Sequence, residues 1–381
     1  MYVRNAWYVA AWDHEVTRTM RRRILLDEPV VLFRTDTGKA VALEDRCCHR
    51  QAPLSMGKLA GNIVTCPYHG LQFDTTGKCV RIPTQDLVPK SACVKSYPIV
   101  ERNHWLWIWM GDPAKADPAL IEDFHWLDDP GWRYGGSYLH VQANYLLVLE
   151  NLLDTTHLTY LHPTSLGTDA FARSEFDVKR DGDRITVTRW LMNEFPAPFH
   201  KQMGGFPDGM KVDRWQVAHF APPCFVKLDI GSAPVGANAR GGERSKFMGM
   251  WNLNAITPET EKTAHYFFAQ AYNFKLDEPW FSDQMRTQLH SIFLEDMAMI
   301  QAQQQNMDLG PSAAVGLART RRGWRCAASC SASPRRTILL RRRDEQLRGQ
   351  LEGALEHAEQ LIGHRARPQR HHARVADVAA H

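Results

Sequence analysis

The spacing of apolar and polar residues changes character near residue 115. Before that point, short segments rich in apolar residues flank turn residues: apolar runs at 30–34 and 40–43 enclose Asp-Thr-Gly-Lys, and segments of alternating apolar and polar residues at 71–74 and 79–82 enclose Thr-Gly-Lys. Short apolar runs separated by Gly-containing turns are typical of β-hairpins. A dense aromatic run, Trp-Leu-Trp-Ile-Trp, follows and predicts a buried core strand. Residues 1–115 are therefore expected to form an all-β domain.

The second region, residues 116–311, mixes helix and strand. A helical stretch is predicted at 144–161 and a long helix at about 280–306, with Asp277 as the N-cap of the long helix. Between them we predict strands at 184–192, 214–220, 225–231, 246–256 and 264–271. An antiparallel sheet curved around one long terminal helix fits this order, so the predicted fold class is α+β.

The composition is that of a globular protein except in a tail at residues 312–381. With 381 residues, of which 44% are hydrophobic and 23% charged, the chain has the length of about two domains. The tail holds 14 Arg, no Lys and 6 acidic residues, which leaves 32 basic and 36 acidic residues elsewhere. The body is thus mildly acidic and gives no support to nucleic-acid binding. The abrupt Arg-rich composition suits a frameshifted or disordered tail, and we assign it no function.

The location expected from the sequence is the reducing cytoplasm. The start of the chain has no signal-peptide pattern, and no apolar run reaches the length of a membrane-spanning helix. The eight cysteines do not suggest a disulfide framework.

Two further features lie in the tail. Cys326 and Cys330 lack other clustered ligands, and residues 339–362 have the spacing of an amphipathic helix.

Two short motifs each offer one thiolate and one imidazole. They read Cys-Cys-His at 47–49 and Cys-Pro-Tyr-His at 66–69. This equal split suits a [2Fe–2S] cluster in which two histidines replace two cysteines on one iron. Neutral imidazoles make reduction less unfavourable, so such a cluster is expected to accept and relay an electron. The predicted cluster ligands are Cys47, His49, Cys66 and His69.

A zinc site is the alternative for these four residues. A zinc finger usually takes both cysteines from one turn and both histidines from one helix, whereas cysteine and histidine alternate here. The segments that follow the two pairs, at 52–55 and 70–74, instead look like tight cluster loops of the Rieske type. A colourless protein without a Rieske-type EPR signal would exclude the cluster.

A second set of polar residues begins at Asn151. Asn151, Asp154 and His157 are spaced by three, so a continuous helix would place them on one face. His162 would point about 140° away from His157 on that helix. Pro163 disfavours helical backbone at His162, which can then return to the side of His157. Two such histidines can bind iron, zinc or no metal.

A carboxylate in the long helix supplies a third candidate ligand. Asp296 lies in a stripe that we predict to face the core. The other members of that stripe are Met285, Leu289, Ile292, Met299 and Gln303. A carboxylate there is costly unless it is paired or binds a metal, whereas Glu295 is expected to point into solvent. His157, His162 and Asp296 would form the two-histidine, one-carboxylate ligand set of non-haem Fe(II) oxygenases.

Together these motifs resemble the Rieske non-haem iron oxygenases, and most of all the oxygenase components of vanillate O-demethylase and dicamba monooxygenase. The resemblance extends over roughly four-fifths of the chain. Further landmarks are Arg-Asn-Ala-Trp-Tyr at 4–8, Gly-Asp-Pro at 111–113 and Ile-Thr-Pro-Glu at 256–259. One departure is Cys48, which stands where the family usually has proline and could compete as a ligand.

The resemblance implies an N-terminal Rieske domain, a helix-grip catalytic domain and a head-to-tail homotrimer. In that trimer the cluster of one subunit faces the mononuclear iron of the next. Asp154 would link His69 of one chain to His157 of its neighbour, and Asn151 and Asp154 are the predicted catalytic residues. Electrons would come from NAD(P)H through a separate flavin and iron–sulfur reductase, because no dinucleotide-binding motif is visible here.

The implied reaction is O₂-dependent O-demethylation of a small aromatic methyl ether, such as a vanillate-like methoxybenzoate, with release of formaldehyde. Hydroxylation of a ring methyl group and N-demethylation remain open on the same scaffold. The non-enzyme alternative is a Rieske electron carrier, against which the second domain argues. Asn254 and Asp229 occupy strands that would line the substrate pocket, although structural roles are favoured for both.

Overall fold

A computed structural model describes residues 2–242 and 244–310. The predictions made for the tail at 312–381, including its amphipathic helix and its two cysteines, lie outside these residues. The described part contains no helix with the length and hydropathy that crossing a bilayer requires.

The N-terminal part consists of short antiparallel strands in three sheets, with orders β1-β10-β9, β2-β3-β4 and β5-β6-β7-β8. The strands are β1 (Ala6–Trp12), β2 (Arg21–Leu25), β3 (Glu28–Arg34), β4 (Ala40–Glu44), β5 (Lys58–Ala60), β6 (Ile63–Thr65), β7 (Gln72–Phe73), β8 (Cys79–Arg81), β9 (Ile99–Arg102) and β10 (Trp105–Met110). The two predicted hairpins are present as β3-β4 and β7-β8, and β10 is buried along its length.

A seven-stranded antiparallel sheet follows, in the order β11-β17-β16-β15-β14-β13-β12. Its strands are β11 (Arg133–Val141), β12 (Phe176–Asp181), β13 (Arg184–Glu194), β14 (Val212–Ala221), β15 (Phe225–Pro234), β16 (Met248–Thr260) and β17 (Thr263–Tyr272). The five predicted strands are β13 to β17. Strands β11 and β12 were not predicted, because both lie at sheet edges where few side chains are buried and the apolar alternation is weak.

The helices are α1 (Tyr145–Leu153), α2 (Leu158–Leu161), α3 (Asp169–Arg173), α4 (Pro198–Gly204) and α5 (Trp280–Asp308). Short 3₁₀ helices span Asp13–Glu15, Leu54–Met56, Pro113–Lys115, Pro118–Leu120, His125–Leu127, Thr155–His157 and Arg244–Lys246. The predicted continuous helix at 144–161 is wrong, because α1 ends before Asp154. The Asp154 side chain accepts a hydrogen bond from the main-chain N–H of Thr156 at 3.1 Å, and such local bonding competes with a helix.

Helix α5 packs against β11, β17 and α1, as expected for the long terminal helix. Its N-cap is Pro279, without a side-chain cap, so the prediction that Asp277 caps it is wrong. Met285, Leu289, Ile292 and Asp296 are buried as predicted. The last two positions of the stripe, Met299 and Gln303, are instead exposed.

The buried face of α5 turns along the helix, which explains this difference. In its second half the buried residues are Met297, Ile300 and Gln304. The Gln304 amide oxygen accepts a hydrogen bond from the main-chain N–H of Asn144 at 2.9 Å, immediately before α1. The contact with the start of α1 therefore decides which face of the second half of α5 is buried. The predicted stripe assumed instead that the same face is buried along the whole helix.

The N-terminal part is attached to the seven-stranded sheet through β1 and β2. The Thr257 hydroxyl donates to the carbonyl of Val9 at 2.7 Å, and the indole of Trp12 donates to the carbonyl of Ser137 at 3.1 Å. Gly136 makes room for that indole, because a Cβ there would lie 2.5 Å from the Trp12 ring. One hydrophobic core runs through both parts, and a second core lies beneath the two Cys-His loops. The fold class is α+β, as predicted.

Candidate active site

The two Cys-His motifs lie on loops that fold in the same way. The main-chain N–H of Cys47 donates to the carbonyl of Ala52 at 2.9 Å, and that of Cys66 donates to the carbonyl of Leu71 at 2.8 Å. The fourth residue after each cysteine has a positive φ, 58° at Gln51 and 74° in the second loop, where the residue is glycine. Each loop is thus a closed turn that starts at a cysteine.

This fold puts sulfur inside and imidazole outside. Cys47 and Cys66 are buried, whereas His49 and His69 are exposed, and the centroids of the two imidazole rings lie 4.6 Å apart. Burial raises the pKa of the Cys47 thiol to about 11, and the neighbouring Cys66 also raises it. A pair of thiolates there requires a cation. Two inner sulfurs and two outer imidazoles fit a [2Fe–2S] cluster with a different ligand pair on each iron.

Cys48 lies on the outer side of this site. Its side chain is exposed, unlike that of Cys47, and it lines a surface pocket together with His49, His69 and Gln85. The four predicted ligands are therefore two buried cysteines and two exposed histidines, whereas Cys48 is an exposed cysteine.

The second predicted ligand set comes together in space. One ligand atom from each of His157, His162 and Asp296 lies within 4.8 Å of the others. Asp296 Oδ1 is 3.0 Å from His162 Nε2 and 3.4 Å from His157 Nε2. Within the described ranges this is the one such group of three metal-ligating side chains. Two imidazoles and one carboxylate fit the facial ligand set of non-haem iron.

The local backbone sets the orientation of each imidazole ring. His162 follows the last residue of α2 with non-helical φ of −121° and ψ of 49°, as expected for a residue before Pro163. His157 ends the 3₁₀ helix, and its Nδ1 lies 2.7 Å from the carbonyl oxygen of Asp154. His162 Nδ1 lies 2.7 Å from Glu295 Oε2. With Nδ1 engaged in each ring, Nε2 is the atom left for a metal.

Glu295 was missed by sequence reasoning, which placed it in solvent. Its side chain is 45% exposed, yet one carboxylate oxygen reaches the buried ring of His162. Adjacent helical residues point about 100° apart. The ring of His162 lies between Glu295 and Asp296 and contacts both, which the stripe pattern of a single helix does not reveal.

Asp296 carries a negative charge at this site. Burial raises the pKa of Asp296, but hydrogen bonds from His157 and His162 outweigh it and hold that pKa at about 2. Burial lowers the pKa of His162, while Asp296 and Glu295 more than compensate and raise it. The carboxylate is therefore ionised at neutral pH and attracts a cation between the two rings.

Asn151 and Asp154 lie beside the ligand set but do not share a helical face. The Asn151 amide donates to Asp296 Oδ1 at 3.0 Å and lies 3.5 Å from His157 Nε2. Asp154 Oδ1 accepts hydrogen bonds from both the N–H and the hydroxyl of Thr156. Asp154 Oδ2 has no hydrogen-bond partner among the described residues, so it remains open to an outside donor.

A cavity adjoins the ligand set. His157, Asp296 and Asn151 form part of its wall. Most of the rest is apolar and includes Leu152, Leu228, Ile230, Met250, Leu289 and Phe293. Apolar side chains of this kind are the usual lining of a site for an aromatic ring.

Neither predicted substrate residue lines this cavity. Asp229 accepts a hydrogen bond from the Trp215 indole at 2.8 Å and pairs with Arg244, and its neighbours Leu228 and Ile230 face the cavity instead. Asn254 is fully buried, with its amide donating to main-chain carbonyls and accepting from the Tyr266 hydroxyl. Both residues have the structural roles that the burial of such side chains favours.

Five polar residues of the wall were not predicted, namely Thr155, His200, Arg214, Gln216 and Asn252. A signal for two of them exists in the sequence of β14. Trp215 and Val217 form one face of that strand, so Arg214 and Gln216 must share the other. Both faces are buried, which a strand pattern alone does not reveal.

Comparison with known proteins yields matches over both parts of the chain. Residues 6–98 match the Rieske [2Fe-2S] domain, and residues 141–320 match the vanillate O-demethylase oxygenase C-terminal domain. The iron-sulfur subunit of the toluene-4-sulfonate monooxygenase system of Comamonas testosteroni is 46% identical over 82% of this chain and 90% of its own. The vanillate O-demethylase oxygenase subunit of Pseudomonas sp. (strain HR199 / DSM 7063) is 36% identical over 81% of this chain and 87% of its own.

The fold is also that of a solved structure. Dicamba monooxygenase bound to 3,6-dichlorosalicylic acid superimposes with a TM-score of 0.80 at 34% identity, covering 86% of this chain and 96% of that one. The predicted family, its fold and its two cofactors are thereby confirmed. The chain belongs to the Rieske non-haem iron oxygenases, as an oxygenase component with a Rieske [2Fe–2S] cluster and a mononuclear iron that works with a separate reductase.

Proposed function

We propose that this chain hydroxylates the methyl carbon of a small aromatic substrate, with O-demethylation of an aromatic methyl ether as the principal reaction. The observation that carries the proposal is the position of His157 and Asp296 in the wall of a largely apolar cavity. A ring held by that wall has its substituent beside the ligand set. Relatives named for demethylation of vanillate and dicamba support the same reaction.

The reaction balances with one O₂, two electrons and two protons. One oxygen atom enters a methyl C–H bond, and the other leaves as water. From a methyl ether the product is a hemiacetal, which breaks its C–O bond to release formaldehyde and a phenol. When bound, the mononuclear iron activates O₂ and the cluster delivers the electrons that the reductase supplies.

The residues of the chain hold the site in order. The Glu295 carboxylate and the Asp154 carbonyl fix the two imidazoles through Nδ1, and the Asn151 amide fixes Asp296. Such outer partners orient metal-ligating side chains. The apolar wall excludes water from the methyl group and positions the ring, so that the oxidised carbon is chosen by placement.

The head-to-tail trimer is part of this proposal. No hydrogen bond joins His69 to Asp154 within the described residues of one chain. His69 is exposed, and Asp154 Oδ2 is open to a donor. An imidazole that binds iron through one nitrogen still has an N–H to donate, and a carboxylate can accept it across a subunit boundary. His157 is tied to the same residue through the Asp154 carbonyl.

Hydroxylation of a ring methyl group is the second candidate, and a specific finding favours it. The relative that is 46% identical is named for a monooxygenase of toluene-4-sulfonate, which carries its methyl on the ring. The same oxygen insertion would then stop at a benzyl alcohol, because no ether bond is present to break.

A product assay tests the proposal. The holoprotein, a competent reductase and NADH are incubated with a panel of methoxybenzoates and of ring-methylated benzoates and benzenesulfonates. Formaldehyde in equal amount to phenol supports O-demethylation, and a benzyl alcohol from the methylated compounds supports the second candidate. Dihydrodiols as the products, or no O₂-dependent product from any compound, would contradict methyl oxidation. Omitting the reductase serves as the control.

A further inference from the structure

Arg214 is a buried cation without an anionic partner. It is 3% exposed and lines the same cavity as His157 and Asp296. Among the described residues its guanidinium makes one hydrogen bond, from Nη1 to the carbonyl of Leu166 at 3.3 Å, and no carboxylate pairs with it. Its Nε is buried and has no partner there. Buried charges are normally paired, so this one calls for an anion from outside the chain.

The titratable groups around Arg214 supply no negative charge to it. Burial and the neighbouring Arg189 lower the pKa of Arg214 to about 9, which leaves it protonated at neutral pH. His200 also lines the cavity, and burial together with Arg214 holds its pKa well below the usual value. His200 is therefore neutral, with its Nδ1 2.9 Å from the Ser232 hydroxyl. The carboxylate next in sequence, Asp213, lies on the opposite face of β14.

Two carboxamides lie on the same wall. Gln216 is two residues beyond Arg214 on the same face of β14, and its buried side-chain oxygen has no partner among the described residues. The side-chain oxygen of Asn252 accepts from Gln270 at 3.3 Å, which leaves its NH₂ group to donate. The unpartnered Gln216 oxygen is an acceptor and does not itself attract an anion, so the groups of these two side chains that can donate to one are their NH₂ groups.

We propose that Arg214, assisted by the amides of Gln216 and Asn252, binds a sulfonate or carboxylate group of the aromatic substrate. The inference rests on the proposed function, because it specifies the substrate class of the same cavity. A planar guanidinium suits such oxyanions, since it can donate two parallel N–H bonds to them. The anionic end is then held by Arg214, and the ring lies along the apolar wall that leads to His157 and Asp296.

Equilibrium binding to the oxidised holoprotein, without reductase, tests this. The probes are toluene-4-sulfonate and 4-methylbenzoate, with 4-tolyl methyl sulfone and 4-methylbenzamide as neutral counterparts of similar shape. We expect the wild type to bind the anions about 10- to 100-fold more tightly than their counterparts. Whichever anion shows the larger preference identifies the group. Equal affinity for charged and neutral probes would overturn the inference and needs no variant.

Substitution of Arg214 then tests whether this residue causes the preference for anionic probes. Arg214→Met should remove it, and Arg214→Lys should keep it with weaker binding, because the charge remains and the fork of donors does not. Arg180→Met is the matched control: it removes the same charge from an exposed position outside the cavity and should behave as the wild type. If Arg214→Met does not fold, Arg214→Gln retains a donor for Leu166 and takes its place. A folded variant that still prefers the anions would refute the assignment.

Two further measurements show which proposal has failed, the proposed function or the role of Arg214. Inorganic sulfate should bind much more weakly than toluene-4-sulfonate, because it lacks the ring; equal binding would mean that no aromatic substrate is recognised. Since binding is measured without turnover, anion preference with no methyl oxidation refutes only the proposed function. Methyl oxidation of neutral aromatics as fast as of anions refutes only the role of Arg214.

Discussion

The Nδ1 atom of buried His162 lies 2.7 Å from a carboxylate oxygen of half-exposed Glu295. Metal-binding histidines commonly donate their second N–H to a carboxylate, which fixes the tautomer and the ring orientation. Here the pair joins the loop after α2 to α5, so it also aligns His162 with Asp296, the next residue along the helix. We therefore expect Glu295 to be a positioning residue for the candidate iron site.

Replacing Glu295 should weaken iron binding without removing the ligands. We expect Glu295→Ala to lower the affinity of the mononuclear site about 10- to 100-fold, with a smaller loss for Glu295→Gln, which retains an acceptor oxygen. Chelator competition measures this directly. Asp283→Asn, an exposed change in the first turn of the same helix, is the matched control. Unaltered iron affinity in Glu295→Ala would show that the contact does not support the site.

Replacing the carboxylate of Asp296 should affect the mononuclear iron but not the Rieske cluster. Asp296→Asn is expected to lose the mononuclear iron and to reduce methyl oxidation by at least about 100-fold, while the Rieske EPR signal persists. Two separate ligand sets in the chain are the reason. Iron content, EPR and product formation are measured on one preparation, with Asp308→Asn at the far end of α5 as the control. Loss of the Rieske signal as well would contradict independent sites.

The carboxylate of Asp154 should affect electron delivery but not iron binding. Asp154→Asn keeps the main-chain carbonyl that holds His157 and a side chain that can still cap Thr156. We therefore expect normal iron content with turnover lowered about 10- to 100-fold, and a solution mass about three times the 43.5 kDa of the chain. The exposed Asp169→Asn is the control. A monomer with wild-type turnover would rule out the subunit bridge.

Stability should fall in mild acid because of His265. Burial first, and Arg23 next, lower the pKa of this histidine to about 4, whereas in the unfolded chain it titrates near 6.5. The unfolded state therefore binds more protons between these values. The contribution of His265 is fully present above pH 6.5 and is lost as the pH falls toward 4.

The expected size is about 2 kcal/mol of unfolding free energy between pH 7.5 and 5. Denaturant unfolding of the wild type and of His265→Gln measures it, and the variant should have the flatter pH dependence. His265 also joins the two parts of the molecule, since its Nε2 lies 3.0 Å from the carbonyl oxygen of Ile24. His14→Gln, at an exposed histidine, controls for the change in charge. Parallel pH profiles for all three proteins would contradict the prediction.

The candidate ligands can be picked out of the sequence because they are marked locally. Alternating Cys and His in two short loops indicates the cluster, and Pro163 next to His162 explains how that ring leaves its helix. Asp296 was found because a carboxylate interrupts an apolar stripe. Each of these features depends on residues a few positions apart, which a single sequence displays.

The remainder depends on contacts between distant segments. The turning face of α5 follows from its contact with Asn144, and the role of Glu295 follows from a histidine 133 positions earlier. At Asp154 a side-chain cap competes with continuation of the helix. A spacing of three between polar residues does not show which of the two forms. Arg214 was missed because a buried strand with polar residues on both faces has no distinctive alternation.

The most direct test of the account is a single turnover of the reduced holoprotein under ¹⁸O₂ with a ring-methylated and a methoxylated aromatic acid, followed by mass spectrometry. We predict oxidation at the methyl carbon in at least one of them: one labelled oxygen in a benzyl alcohol, or formaldehyde with an unlabelled phenol. Label bound to a ring carbon in either product, as a labelled phenol or a dihydrodiol, would contradict it.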